Sequence, residues 1–460
     1  YAGILKTKKT IRYVKDYLRS IEVKAPLVQI EHHKGHAASA FLTSGYKECM
    51  TYTSDFMGDF LCCTINVCNE NGIKRVHSIP FYHSPGMVYS WVTKYLNFTP
   101  GKHEGKITGL AAYGKPTTHE IFKKYMHLSK DGLSYERKIK QFWYLNAIEM
   151  LRKDLSQFPR EEVAAGLQKR FEDVISEHIK NWLKIYPNQN LALAGGIFAN
   201  VKLNQRILES TGSKEVFIHP HMSDGGLAVG AALALWSDLS LKEGKKLIPQ
   251  KLNNVYFGEG YSDQEIEKEL KKNNVKYSLL KDIEGEVAEL ISKGKVVGRF
   301  NGKMEYGPRA LGNRSILYQP VDRKVNDWLN KRLKRTEFMP FAPSTLIEAA
   351  KKCYVNSEGG IYTANFMTMT FNVTDWFKST CPAVTHLDDT ARPQLVSKEE
   401  NPSYYKIIKE YEKISGIPTI VNTSFNMHEE PIVCSPYDAI RSFQLGNLDY
   451  LAIGNFLVKA

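Results

Sequence analysis

The chain is 460 residues long, 43% hydrophobic and 11% aromatic, which supplies two or three ordinary cores at roughly 150 residues each. Its net charge of +13 invites a nucleic-acid reading, but acids alternate with the lysines in stretches such as 263–282, which describes solvated helix faces and small anionic substrates better than a phosphate-tracking stripe. No signal-like or membrane-spanning apolar run occurs and none of the seven cysteines forms a C-x-x-C pair, so a cytoplasmic protein with reduced thiols is expected, not a membrane protein, a disulfide scaffold or a thiolate zinc site.

In chain order, residues 10–20 have the period of an amphipathic helix, and APLVQI (25–30) reads as a buried strand. EHHKGHAASAF follows, where His32 and His36 are four apart in an alanine-rich helical stretch and share one face at metal-chelating distance; His33 points elsewhere. Core or surface histidines would show the same spacing. MTYTSDFMGDF predicts a strand ending at Asp55, a turn at Gly58 and then Asp59, with Asn71-Gly72 as a hairpin turn beyond. Such an acid is either a metal or nucleotide ligand or an ordinary turn cap. A glycine-opened helix is expected over 101–114 and a long amphipathic helix over 160–184.

Two strand–diglycine–helix units come next. LALAGGIFAN carries Gly195, Gly196 and Asn200, with Asn204 one turn on so that the two asparagines could hydrogen-bond a ribose or phosphate, and EVFIHPHMSDGGLAVGAAL carries Asp224, Gly225 and Gly226. A strand emptying through glycines into a helix N-terminus is a ready anion site, and two of them predict an α/β nucleotide-binding fold with ligands outside the strand carboxyl ends. A composition shift at 236–262 places a domain boundary near 252, giving units 1–251 and 252–460. Helices are expected at 263–273 and 284–293, then the strand KVVGRF and the loop NGKMEYGPRALGNRS, where Lys303, Arg309 and Arg314 stand among three glycines as in a phosphate or carboxylate cradle. Arg335 ends a basic helical stretch, MTMTFNV reads as a strand, Arg392 lies in HLDDTARPQ, and IPTIVNTSFN is a strand leading to Ser424 and Asn426. If Arg309, Arg314, Arg335 and Arg392 converge, each close pair repels by roughly 4 kcal/mol at an effective dielectric near 20, so convergence predicts a polyanionic ligand.

Taken in order, HHKGHAASAF, SDFMGD, GKITGLAAYG, LALAGGIFAN, SDGGLAVGAAL, GKMEYGPRALGNRSI, MPFAPS, HLDDTARPQ and NTSFNMHEEPIV resemble the motif series of the O-carbamoyltransferases of nodulation, antibiotic and related natural-product pathways (NodU/CmcH type). The resemblance runs from about residue 25 to the C-terminus. It implies an N-terminal actin-like ATPase (ASKHA, threonylcarbamoyl-transferase-like) domain and a C-terminal YrdC-like α/β domain. It also implies formation of carbamoyl-adenylate from carbamoyl phosphate and ATP with Mg²⁺, followed by transfer to a small-molecule hydroxyl of a sugar or natural product. His32, His36, Asp55 and Asp224 match the metal ligands, for Fe(II) or another divalent transition metal. His33 or Asp59 is the candidate base. Gly195, Gly196, Asn200, Gly225 and Gly226 would hold the adenylate; Lys303, Arg309, Arg314, Arg335, Arg392, Ser424 and Asn426 would hold the phosphates, Arg309 being catalytic.

Three departures from the pattern stand out. Met339 replaces an arginine before PFAPS, His428 and Glu429 replace Arg and Gly after NTSFN, and the family's first hundred or so residues have no counterpart, so a truncated start is expected, or a homodimer or separate chain that supplies the segment. The alternative readings are a tRNA threonylcarbamoylation-type protein and a non-catalytic nucleotide-binding partner.

Overall fold

The computed structural model describes residues 2–139, 144–188, 190–333 and 341–460. It is an α/β structure whose two main sheets come from different parts of the chain. The first contains β1 (Cys49–Gly58), β2 (Leu61–Asn69), β3 (Gly72–Pro80), β4 (Asn190–Ala194) and β5 (Glu215–Ile218) in the order β3-β2-β1-β4-β5. The first three strands are antiparallel, and Gly72 opens β3 at φ 133 in the hairpin that Asn71-Gly72 predicts. β4 then pairs parallel with β1, and β5 with β4. All three parallel strands therefore end at the same edge.

The chain opens with α1 (Ala2–Ser20), and the helices that cover this sheet follow from its alternation. Ala192, Ala194 and Phe217 face a cluster with Ala38, Phe41 and Ala234, which brings α2 (His32–Leu42) and α5 (Leu227–Lys242) to one side. Leu191 and Leu193 face Phe171, Ile175 and Ile179 of α3 (Arg160–Ile185), the predicted long helix, which packs beside α4 (Val201–Thr211). α2 and α5 cross at glycines: a Cβ on Gly230 would stand 2.3 Å from the Gly35 carbonyl oxygen, so side chains at that crossing would drive the helices apart.

The second sheet uses β6 (Tyr277–Leu279), β7 (Val297–Phe300), β8 (Arg314–Tyr318), β9 (Ala342–Leu346), β10 (Gln394–Val396), β11 (Thr419–Ser424), β12 (Tyr450–Ile453) and β13 (Phe456–Lys459), in the order β10-β9-β11-β8-β7-β12-β13-β6. The start of β8 lies opposite the end of β11, with Ser315 paired to Ser424. The glycine–arginine loop connects β7 to β8.

Two predicted strands do not form. Residues 25–30 are not in a strand and leave Leu27 40% and Val28 49% exposed, because among the described residues no neighbouring strand lies alongside to accept them. In 367–373 only Phe371–Asn372 is a strand, since Met367 takes φ 55 and breaks the extended run. The helix predicted over 101–114 is shorter, Glu104–Ala111. The helix after LALAGG starts at Val201, after a single 3₁₀ turn over Gly196–Ala199. Among the described residues no helix is long and apolar enough to cross a membrane.

Candidate functional site

At the carboxyl edge of the first sheet, four expected ligands meet. One donor atom each from His32, His36, Asp55 and Asp224 lies within 4.8 Å of all the others. Each side chain is delivered by a different local cause. Glu31 caps α2 by accepting the Lys34 N–H at 2.7 Å, which starts the helix at His32 and puts His32 and His36 on one face. Asp55 ends the regular part of β1 and is held by backbone: its carboxylate accepts the N–H groups of Phe56 at 2.7 Å and Gly196 at 3.1 Å. Gly195 makes that contact available, with φ 110 and no room for a Cβ, which would lie 2.0 Å from the Ser54 carbonyl oxygen. Asp224 opens the turn before α5.

The nitrogen–oxygen separations are 3.6 and 3.8 Å from His32 Nε2 to Asp55 and Asp224, and 3.3 and 3.9 Å from His36 Nε2. His32 Nε2 and both ring nitrogens of His36 are buried with no hydrogen-bond partner. Orphaned imidazole nitrogens facing two carboxylates at these spacings fit a shared divalent transition metal better than a hydrogen-bonded cluster. Burial opposes the charges here and the partners offset it. Against burial, the Asp55 and Asp224 carboxylates raise the His32 pKa, and the two imidazoles hold Asp55 well below the usual carboxylate range. Asp224 is raised by burial and by the charge of Asp55.

The two base candidates flank this cluster. His33 is fully buried, its Nδ1 is 2.8 Å from the Thr53 hydroxyl, and burial with the neighbouring His32 takes its pKa down to about 4. Asp59 is exposed in the β1–β2 turn and accepts the His32 backbone N–H at 2.8 Å. Asn200 caps α4 through the Leu203 N–H at 3.1 Å and exchanges hydrogen bonds with Gln168. Asn204, read as a ribose or phosphate partner, is instead buried on the carbonyls of Phe198 and Thr368, both at 2.7 Å. Gly225 and Gly226 lie against His221: a Cβ on the first would meet its Nε2 at 2.0 Å and on the second its carbonyl oxygen at 2.1 Å.

A second group of side chains gathers at the β8–β11 end of the other sheet. Arg309, Arg392, Asn422, Ser424 and Asn426 line one cavity of about 250 Å³, with Glu429 at its rim. Burial takes the Arg309 pKa down to about 10; burial together with the charge of Arg309 takes Arg392 well below its ordinary value. Two desolvated guanidiniums this close call for an anion. The Ser424 hydroxyl donates to Asn426 Oδ1 at 2.6 Å, and Asn426 is braced on the carbonyls of Met427 and Glu430. Glu429, at φ 62, reaches across to Lys102 at 3.3 Å and His103 at 3.5 Å, so the first half of the chain touches this rim.

Arg314 is placed differently from the expected phosphate grip. Its guanidinium donates to the carbonyls of Asn301, Asn313, Glu259 and Gly302, and stacks 3.7 Å from the Phe300 ring centroid. Four backbone acceptors occupy its two terminal nitrogens, so it braces the loop and leaves no terminal N–H for a ligand. Lys303 is exposed and is not among the residues lining the cavity. Arg335 and Met339 lie outside the described residues.

Residues not anticipated from the sequence complete both sites. Glu305 is buried and accepts the N–H groups of Leu311, Asn313 and Arg314, shaping the loop from inside. Asn422 donates to Ala310, Ser344 and Gln394, fixing β11 to the loop. His219 and His221 stand under the Asp224 turn. An acid alone among glycines was the available signal for Glu305; for the histidines there was the HPH triplet beside Asp224.

A carbamoyltransferase N-terminus family model matches residues 4–233 and a carbamoyltransferase C-terminus model matches 288–460. The chain belongs to the carbamoyltransferase family. Among its relatives are an uncharacterized protein of Methanocaldococcus jannaschii, 37% identical over 93% of this chain and 73% of its own length, and Nodulation protein NolO of Bradyrhizobium diazoefficiens, 34% identical over 94% and 79%. Nodulation protein NolNO of Sinorhizobium fredii is 34% identical over 94% of this chain, which spans 63% of that longer relative. A solved structure of full-length HypF in the phosphate- and nucleotide-bound form overlaps 40% of this chain and 22% of its own, at 19% identity and a TM-score of 0.27. Membership makes the protein a carbamoyltransferase enzyme, and the two side-chain groups are its candidate working parts.

Proposed function

We propose that the chain forms carbamoyl-adenylate at the Arg309–Arg392 cavity and transfers its carbamoyl group to a small-molecule hydroxyl at the His32–His36–Asp55–Asp224 cluster. The observation that carries this reading is the pairing of two partly buried arginines over a cavity that also presents Ser424 and Asn426. Water cleaves carbamoyl phosphate to carbamate and phosphate. A carbamate oxygen then attacks the α-phosphorus of ATP, and pyrophosphate leaves with Mg²⁺ as the usual partner of the nucleotide. Arg309 and Arg392 supply charge-assisted hydrogen bonds to the phosphoryl oxygens, each worth about 1.5–3 kcal/mol, which offsets their mutual repulsion.

In the second step the acceptor hydroxyl attacks the carbamoyl carbon and AMP leaves. His32, His36, Asp55 and Asp224 would hold Fe(II) or another divalent transition metal, whose chemistry is Lewis-acid polarisation of a carbonyl oxygen. Of the two base candidates, Asp59 is the one with solvent access, while His33 lies under the cluster and fixes β1 through Thr53. The diglycine turns at 195–196 and 225–226 flank the cluster and suit the nucleotide part of the adenylate. The acceptor is read as a hydroxyl of a sugar or natural product, and the site of action as the cytoplasm. On this reading the first half is an actin-like domain, supported by its three-antiparallel, two-parallel sheet order, and the half after about residue 252 is YrdC-like.

The test is incubation with carbamoyl phosphate, ATP and Mg²⁺. Pyrophosphate release that requires carbamoyl phosphate supports the adenylate step; release that ignores it, or none, overturns that step.

A further inference from the structure

A short bridge joins the two groups of side chains. Tyr306 lies three residues before Arg309, and its hydroxyl stands 3.2 Å from His219 Nε2. Its ring packs edge-on against His219 and His221, with centroids 5.9 and 5.2 Å away. His219 Nδ1 in turn meets the hydroxyl of Thr43 at 3.1 Å, at the C-terminal cap of α2, the helix that carries His32 and His36. His221 is wedged beneath the 224–226 turn, where glycine alone fits over it. The next loop residue, Gly307 at φ 118, comes down on Pro220, whose carbonyl oxygen would be 3.1 Å from a Cβ. One side chain, continuous with the Arg309 loop, thus touches both histidines that support Asp224.

Asp224 is the ligand that depends on such support. Asp55 is tied by two backbone N–H groups, whereas the Asp224 side chain is 74% exposed and makes the longer of the nitrogen–oxygen separations, 3.8 and 3.9 Å. Groups that orient a ligand from behind commonly change metal affinity by about 10- to 100-fold.

We propose that Tyr306 is a positioning residue that couples the two sites: its hydroxyl on His219 and its ring on His221 fix the 221–226 turn, so the set of the Arg309 loop determines how far Asp224 reaches toward His32 and His36. This rests on the two-site reading above. An anion that draws Arg309 and Arg392 together moves the segment that carries Tyr306, and the Asp224 turn follows it. By reciprocity of linkage, an ion gripped by Asp224 strengthens anion binding by the same factor.

The experiment titrates the full chain with Co²⁺, read by its visible absorption, with and without saturating sulfate, a tetrahedral dianion that chelates the ion weakly. In the wild-type chain sulfate should raise Co²⁺ affinity by about fivefold or more. Tyr306→Phe keeps the ring and removes the hydroxyl; Co²⁺ affinity should fall by about tenfold and the sulfate effect should vanish. Should this variant fail to fold by circular dichroism, His219→Asn keeps a polar atom near the Nδ1 position that meets Thr43, removes the Nε2 that meets Tyr306, and should show the same two losses. Unchanged affinity and an unchanged sulfate effect in a folded variant overturn the proposal, as does a wild-type chain indifferent to sulfate. A wild-type chain that binds no Co²⁺ overturns the metal-site reading and the coupling with it. Intact coupling without carbamoyl-phosphate-dependent pyrophosphate release overturns only the adenylate chemistry.

Discussion

Arg309 and Arg314 stand five positions apart in one loop and do opposite work. Arg309 points into a cavity beside a second guanidinium, and Arg314 is consumed by four backbone carbonyls. Arg309→Ala should therefore abolish carbamoyl-phosphate-dependent pyrophosphate release while leaving Co²⁺ binding intact, and without ligand its thermal midpoint should hold or rise, because Arg392 loses a repelling neighbour. His36→Ala should do the reverse, losing Co²⁺ binding and keeping pyrophosphate release. Arg314→Ala should act on stability, with a loss of about 3 kcal/mol in urea unfolding, since it orphans buried carbonyls. The sequence marks both arginines as an anion cradle and cannot separate them. What separates them is where the carbonyls of residues 259, 301 and 302 fall, which is a property of the folded loop. The metal-type cluster was more legible, because i, i+4 histidines and acids at strand ends are local signals that survive without knowledge of packing.

At the level of elements, glycines set the distances between the parts. Gly195 lets the end of β4 pass the Ser54 carbonyl, and Gly230 lets α5 lie on Gly35 of α2. Gly230→Val should force the helices apart, lower the thermal midpoint by several degrees and weaken Co²⁺ binding, because α2 carries two ligands and α5 follows the turn that carries a third. A Co²⁺ affinity equal to wild type in a folded Gly230→Val chain would show that the crossing does not set the site. Helices with a clear period and the Asn71-Gly72 hairpin could be read directly from the residues. The false strands at 25–30 and 367–373 show the limit: an apolar run becomes a strand only where a partner edge is present, and neither run has one over its length.

Across the whole molecule, buried neutral histidines tie stability to pH. Burial takes His178 down to about 4, on the Tyr52 hydroxyl, and His386 down to about 4 beside Thr390. The unfolded chain takes up these protons near the ordinary pKa of about 6.5, the folded one only near 4, so their contribution is full above about pH 6.5 and is lost as pH falls toward 4. Each is worth roughly 2–3 kcal/mol across that window. Thermal midpoints measured from pH 7 to 4 should fall, and His178→Gln should flatten the fall; a wild-type midpoint constant over that range would contradict the assignment. The change in composition after residue 236 falls between the last strand of the first sheet and the first strand of the second, whereas the contacts between the two halves, Tyr306 on His219 and Glu429 on Lys102, involve residues far apart in sequence and become neighbours only in the fold.

The exposure of Asp224 also bears on handling. Three ligands are walled in and the fourth faces solvent, so an ion held there exchanges through one side without any opening of the core. Treatment with a chelator should strip the protein within minutes and leave its circular dichroism unchanged, and fresh Co²⁺ should restore the visible spectrum in full. Metal content after purification would then reflect the buffers used more than the preference of the site.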